Sequence, residues 1–219
     1  MILEGISKGN VIKYLSSLEI DCESKVAVVG KNGRGKTTLL RILSGNILPD
    51  SGNIIIKENK YSFPIGSINS VKFQRKIREN VLYIENQNYL YQNLTCEQNI
   101  DYYMSLGNFD KKSFFENLNF LEFNISDLNR RIEELSLGTK QKISISFAIA
   151  SGKSIAMLDE PTLGLDIDAK SQFLNMLDRM KGLKGIVVST NDVTILNEFD
   201  LYLFCEDEEV KMLYDNPYI

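Results

Sequence analysis

Residues 30–37 read G-K-N-G-R-G-K-T, between the apolar run Val26-Ala27-Val28-Val29 and the helix-like stretch Thr38-Leu39-Leu40-Arg41-Ile42-Leu43. Buried strand, glycine loop and helix in that order form a phosphate cradle when Lys and Thr close the loop. The glycines let the backbone curl so that successive N–H groups point inward, and the following helix adds its positive end. Lys36 brings a point charge to the outer phosphates, and the Thr37 hydroxyl is a ligand for magnesium. The expected nucleotide contacts are therefore Gly30, Lys31, Asn32, Gly33, Arg34, Gly35, Lys36, Thr37 and Thr38. A nucleoside triphosphate is the predicted ligand.

The rest of the composition narrows the setting. With 219 residues and 43% apolar content, one globular unit with a substantial core is expected. No run approaches the roughly 18 apolar residues of a membrane span, and the start M-I-L-E-G-I-S-K-G-N lacks the pattern of a signal peptide. Cys22, Cys96 and Cys205 are scattered and odd in number, which points to a reducing cytosol. The sequons at Asn93 and Asn124 are then chance matches. A net charge of −4 argues against nucleic acid as a partner. The basic run from Lys72 to Arg78 reads as a solvated face. The chain has no histidine, which removes the commonest general base.

Two further apolar runs, Ile155-Ala156-Met157-Leu158 and Ile186-Val187-Val188, also read as buried parallel strands. Helical patterns at 36–44 and 168–181 give α/β alternation. Alternating stretches at Leu15–Ile20 and Asn53–Lys57, with the turn Pro49 to Gly52, predict antiparallel strands. Leu201–Phe204 and Val210–Leu213 flank E-D-E-E as a hairpin. From about 88 to 150 the pattern turns helical, and 60–80 reads as an irregular loop. The expected fold is α/β: a P-loop core with a mostly parallel sheet, an N-terminal antiparallel β-subdomain and an inserted helical subdomain. The expected organisation is one domain over 1–219, with 1–87 and 151–219 as core and β-subdomain, and 88–150 as helical subdomain.

Two more motifs sharpen the reading. Asp159-Glu160-Pro161 ends an apolar strand, where an aspartate can hold magnesium and a glutamate can polarise a water. L-S-L-G-T-K-Q-K at 135–142 opens a helix about two dozen residues earlier. The order P-loop, L-S-L-G, D-E-P, Gly164-Leu165-Asp166, then an apolar strand with S-T, resembles the ATP-binding cassette (ABC) family across nearly the whole chain. Leu43–Gly52 and the L-T-x-E-x-N piece at Leu94–Asn99 belong to the same resemblance. It implies two cassettes packed head to tail, each ATP held between one P-loop and the other cassette's signature. Ser136 and the Gly138 N–H then meet a phosphate bound by the partner's Lys36, and Asp166 couples the two sites. Thr37 and Asp159 hold magnesium, and Glu160 polarises the attacking water. A homodimer or heterodimer is implied, seated on a transmembrane permease at the inner face of the cell membrane. Tyr89, Leu90, Tyr91, Tyr102 and Tyr103 are either the socket for that permease or subdomain core.

The sequence departs from the family pattern at four places. Leu137 and Thr139 replace a glycine and a glutamine of the common signature. Either Asn86 or Gln87 stands where an amide usually serves magnesium or water, and Gln87 is also a candidate metal ligand. Asn191 stands where a histidine usually donates to the γ-phosphate, which predicts slow hydrolysis. No aromatic lies near Ile6, where adenine is often stacked; Tyr14 is the nearest and falls within a core strand. The leading expectation is the ATPase subunit of an exporter of peptide or drug-like cargo. A slow or non-hydrolysing ATP-gated clamp and a soluble non-transport relative are the alternatives.

Overall fold

All five residues of the strand Lys25–Val29 are buried, and its apolar run Val26–Val29 is what a strand covered on both faces of its sheet requires. The structure is a computed structural model and describes residues 1–10, 12–85, 89–107, 109–180, 184–206 and 209–218. In chain order the strands before this one are β1 (Ile2–Lys8) and β2 (Ile12–Glu19), so it is β3. There follow α1 (Lys36–Leu43), β4 (Ser51–Ile56), β5 (Asn59–Phe63), α2 (Ser67–Asn80) and β6 (Val81–Glu85). Then come α3 (Cys96–Leu106), α4 (Lys111–Phe120), α5 (Leu137–Ala150), β7 (Ile155–Asp159) and α6 (Ile167–Met180). The chain closes with β8 (Gly185–Ser189), β9 (Leu201–Glu206) and β10 (Glu209–Leu213).

The strands form one ten-stranded sheet in the order β5-β4-β1-β2-β10-β9-β3-β8-β7-β6. Around β3 the pairing is parallel, with Val26 opposite Val187 on β8 and Leu201 on β9, and β7 continues beyond β8. At the other end β1 pairs antiparallel with β2 and β4, and β4 with β5. The antiparallel expectations for Leu15–Ile20 and Asn53–Lys57 thus correspond to β2 and β4. The closing hairpin is β9 with β10, Glu206 facing Glu209. This is the α/β P-loop architecture with an antiparallel portion at the N-terminal side.

The elements cluster into two compact units. The first comprises Met1–Tyr83, Lys153–Asp159 and Met180–Ile219. Its core joins Leu3, Leu15 and Leu18 to Val26, Val28, Met157 and Leu203, with Leu39, Leu40, Ile42 and Leu43 of α1 packed in. Each fully buried aliphatic of this size contributes about 2 kcal/mol of transfer free energy, so α1 is held firmly and with it the loop at its N-terminus. The second unit comprises Ile84–Gly152 and Glu160–Arg179. There α3 opens on a capping box: Thr95 Oγ1 accepts from Gln98 N at 3.2 Å, and Gln98 Oε1 accepts from Thr95 N at 2.9 Å. Buried Asn99 donates to the Tyr91 and Thr95 carbonyls, each at 3.0 Å, which gives the L-T-x-E-x-N piece its structural sense. Phe114 of α4 meets Phe147 of α5 with ring centroids 4.6 Å apart.

One expectation is corrected. Residues 60–80 hold no irregular loop but β5 and the helix α2. Phe73 and Ile77, one turn apart, are the hydrophobic residues that α2 buries, and the rest of the helix is mainly polar. That stripe is too thin to announce a helix by periodicity. It suffices because Phe73 seats between Tyr61 and Phe63, each ring 5.1 Å away. Among the described residues no helix is long and apolar enough to cross a membrane.

Candidate functional site

In the first unit the site grows from the end of β3. The Gly30 backbone, at φ 140, passes so close to β9 that a Cβ would overlap the Cys205 carbonyl. A residue with a side chain would push the loop off the sheet. Burial pushes the Cys205 thiol up to about 12, so the group behind the loop stays neutral. The loop then closes with Arg34 N donating to the Lys31 carbonyl at 3.2 Å, and Gly35, at φ 90, caps α1. The first N–H groups of α1 lack acceptors within the helix and carry its positive end.

Lys36 is buried, 7% exposed, and its Nζ donates to the Gly30 carbonyl and to Asn191 Oδ1, each at 2.9 Å. Asn191 Nδ2 donates in turn to Asn32 Oδ1. Thr37 Oγ1 donates to Asp159 Oδ2 at 2.8 Å, and Ser189 Oγ donates to the other carboxylate oxygen. Asp159 is itself 6% exposed at the end of β7. Loop, β7 and the segment after β8 are thereby joined at the carboxyl ends of neighbouring parallel strands, where ligands of open α/β sheets bind. The hydroxyl of Thr37 and the carboxylate of Asp159 are hard oxygen donors side by side, which fits magnesium held jointly with phosphate oxygens and water.

In the second unit Ser136 caps α5, its Oγ accepting from Thr139 N at 3.1 Å and lying 2.8 Å from Thr139 Oγ1. Gly138 lies in the first turn of α5. Leu137 covers Gly164 so closely that a Cβ on Gly164 would overlap its side chain, and Gly164 has φ 77. Asp166 Oδ1 accepts from Ala169 N at 2.8 Å and so caps α6. Ser136, Gly138, Thr139, Gly164 and Asp166 share the wall of a cavity of about 460 Å³. Glu160 is half-buried and takes φ 50, a strained value for a residue with a Cβ. Its carbonyl accepts from Leu163 N at 3.2 Å and Gln141 Nε2 at 3.4 Å.

The structure thus joins Lys36, Thr37, Asp159, Asn191 and Asn32 in one unit, and Ser136, Gly138 and Asp166 around one cavity in the other. Asn86 and Gln87 lie outside the described residues. Ser189 was missed as a site residue although it begins the S-T pair, because strand alternation alone does not say which hydroxyl faces the carboxylate. The capping role of Asp166 was also missed; its place three residues before Ala169 in a helix-opening segment was the available signal. Of the tyrosines considered, Tyr89 donates to Ser144 Oγ at 2.8 Å and Tyr103 donates to the Tyr89 carbonyl. Burial pushes the Tyr103 hydroxyl up to about 12. Leu90 is buried and these two tyrosines are half-buried, whereas Tyr91 and Tyr102 are exposed, their ring centroids 5.1 Å apart.

Comparison with known proteins agrees with this geometry. Residues 15–163 match the family model described as ABC transporter. SkfE of Bacillus subtilis, an SkfA peptide export ATP-binding protein, is 33% identical over 81% of this chain and 72% of its own length. A putative ABC transporter ATP-binding protein of Mycoplasma pneumoniae is 30% identical over 99% of this chain. ABC transporter A family member 7 of Dictyostelium discoideum is 30% identical over 86% of it. The chain spans 46% and 20% of the lengths of those last two relatives. Among solved structures, a dimeric ATP-binding cassette in a post-hydrolysis state with ADP and Pi superposes with TM-score 0.80 over 98% of both chains, at 23% identity.

Proposed function

The chain belongs to the ABC transporter family, and from that premise we propose that it is an ATP-binding and ATP-hydrolysing subunit driving a separate membrane permease. It acts as one cassette over 1–219, with a core at 1–87 and 151–219 and a helical subdomain at 88–150. It works at the inner face of the cell membrane, as a pair with itself or with a relative. The observation that carries this reading is the bonded set Thr37–Asp159–Ser189 beside Lys36. A charge-bearing lysine, a hydroxyl and a carboxylate at the mouth of a glycine loop are the donors that a magnesium–nucleotide needs.

In this reading Lys36 and the N–H groups from Gly30 to Thr38 bind and orient the phosphates, at the positive end of α1. Thr37 and Asp159 hold magnesium, with Gln87 as a further candidate ligand. When bound, the metal neutralises charge on the phosphate oxygens. Glu160 polarises the attacking water. Asn191, with Asn86 or Gln87, orients the γ-phosphate end. Ser136 and Gly138 serve the nucleotide of the second cassette, and Asp166 couples the two sites. The cargo is peptide or drug-like, a reading supported by the likeness to a peptide export ATP-binding protein.

A second reading is favoured by one observation. Asn191 is an uncharged amide already engaged with Lys36 and Asn32. Losing a transition-state donor costs about 3–4 kcal/mol at worst, which would make the chain a slow, ATP-gated clamp. The purified chain tests both readings. Phosphate release that needs Glu160 and stops on chelation of magnesium supports the enzyme, and tight ATP binding without turnover supports the clamp. Failure to bind ATP removes both. Co-purification with a membrane fraction tests the permease.

A further inference from the structure

Helix α2 has two opposed faces. At about 100° per residue, Phe73, Ile77 and Asn80 fall on one side and are buried. Ile68, Val71, Lys72, Arg75 and Arg78 fall within an arc of about 120° centred opposite, and all five are exposed. Ile68 is 76% and Val71 66% exposed, and both lie on the same face as the cations. The helix carries Lys72, Arg75, Lys76 and Arg78 against one acid, Glu79. Arg75 and Lys76 each lie 3.4 Å from Glu79, exposed pairs that screen little. Beside Val71, a depression of about 320 Å³ is lined by Gln74, Arg75, Arg78, Glu79 and Lys153.

We propose that this face of α2 lies on an anionic lipid surface, with Ile68 and Val71 entering the interface and the Arg75, Arg78 and Lys153 cations receiving lipid phosphates. Charge complementarity argues for it. The chain carries a net charge of −4, whereas this helix carries four cations against one acid and is the locally basic surface that an anionic bilayer attracts. The two aliphatics stand one turn apart on the exposed face of the helix, a form a lipid interface accepts. An acidic protein partner would instead need apolar walls around them. The depression is large enough for one headgroup. This inference concerns α2 and does not depend on the nucleotide chemistry.

Flotation of the full chain with lipid vesicles tests the proposal. The protein is expected to float with vesicles of phosphatidylcholine and phosphatidylglycerol in equal parts, to stay behind with phosphatidylcholine alone, and to be released by about 0.5 M salt. Arg75→Glu with Arg78→Glu should weaken partition about a hundredfold, and Ile68→Ser with Val71→Ser about tenfold. ATP binding by every variant should match the parent, which shows that the variants are folded and separates this outcome from failure of the proposed function. Equal partition into both vesicle types, no flotation at all, or variants that float like the parent each overturn it. Flotation only with vesicles that carry membrane protein overturns it too, because the occupant is then a protein surface.

Discussion

The Lys36 ammonium is surrounded by oxygen: the Gly30 carbonyl and Asn191 Oδ1 at 2.9 Å, and the Lys31 carbonyl at 3.5 Å. An amide at position 191 can accept from this cation and donate to Asn32 at once, with no charge to titrate. Because the chain has no histidine, its turnover should show no imidazole limb against pH. Asn191→His should raise turnover about tenfold and add an ionisation near pH ~6.5, with activity falling below it as the imidazolium comes to face Lys36. Rates recorded across that range for parent and variant decide this, and superimposable profiles exclude position 191 from the reaction. A second prediction concerns the base. Neither Ile6 nor Lys8 has a ring to stack on adenine; Ile6 is moreover fully buried in β1, and Lys8 is tied to Asp50 at 2.6 Å. A missing stack forgoes ~1–3 kcal/mol, and ATP and GTP should compete for the site with affinities within about threefold. A strong adenine preference in competition binding would show that another group holds the base.

Between elements, the contact of Leu137 on α5 with Gly164 joins the helix end that carries Ser136 to the turn that carries Asp166. Gly164→Ala brings both a left-handed strain at φ 77 and an overlap with Leu137, together about 2–3 kcal/mol. Leu137→Ala, partly exposed, should cost about 1 kcal/mol. In the double variant the overlap is gone, so its loss should fall short of the sum by about 1 kcal/mol. Urea unfolding of the four proteins measures this, and strict additivity would mean the contact carries nothing. The same scale explains what the sequence made legible. β3, β7 and β8 each contain an unbroken apolar run, Val26–Val29, Ile155–Leu158 and Ile186–Val188, and glycines punctuate the loop before α1, so strand, loop and helix could be read directly. α2 could not, because its tertiary anchor is Phe73 between two rings of β5, a contact that no local period encodes. The Lys36–Asn191 bond spans 155 positions, so sequence named both residues but could not show them touching.

For the whole molecule, the P-loop and the Ser136 end of α5 belong to different compact units, and the proposed reaction needs the second to meet a nucleotide on another copy. Ser136 is exposed, and its Oγ accepts from Thr139 N at 3.1 Å; with Thr139 Oγ1 donating across their 2.8 Å contact, Ser136 has its own proton to give. It can therefore donate to a phosphate without uncapping α5. Aspartate caps a helix about as well as serine, so Ser136→Asp should leave stability within about 0.5 kcal/mol of the parent. It replaces the donor by a carboxylate, which would stand against the phosphates of the facing nucleotide and repel them. Glu160→Gln should bind magnesium–ATP without consuming it and, by light scattering after size exclusion, double in mass. Ser136→Asp placed in that background should bind ATP as tightly through its own P-loop yet stay monomeric. A dimer that survives this substitution would show that Ser136 does not face the second nucleotide, and the head-to-tail pairing would have to be abandoned.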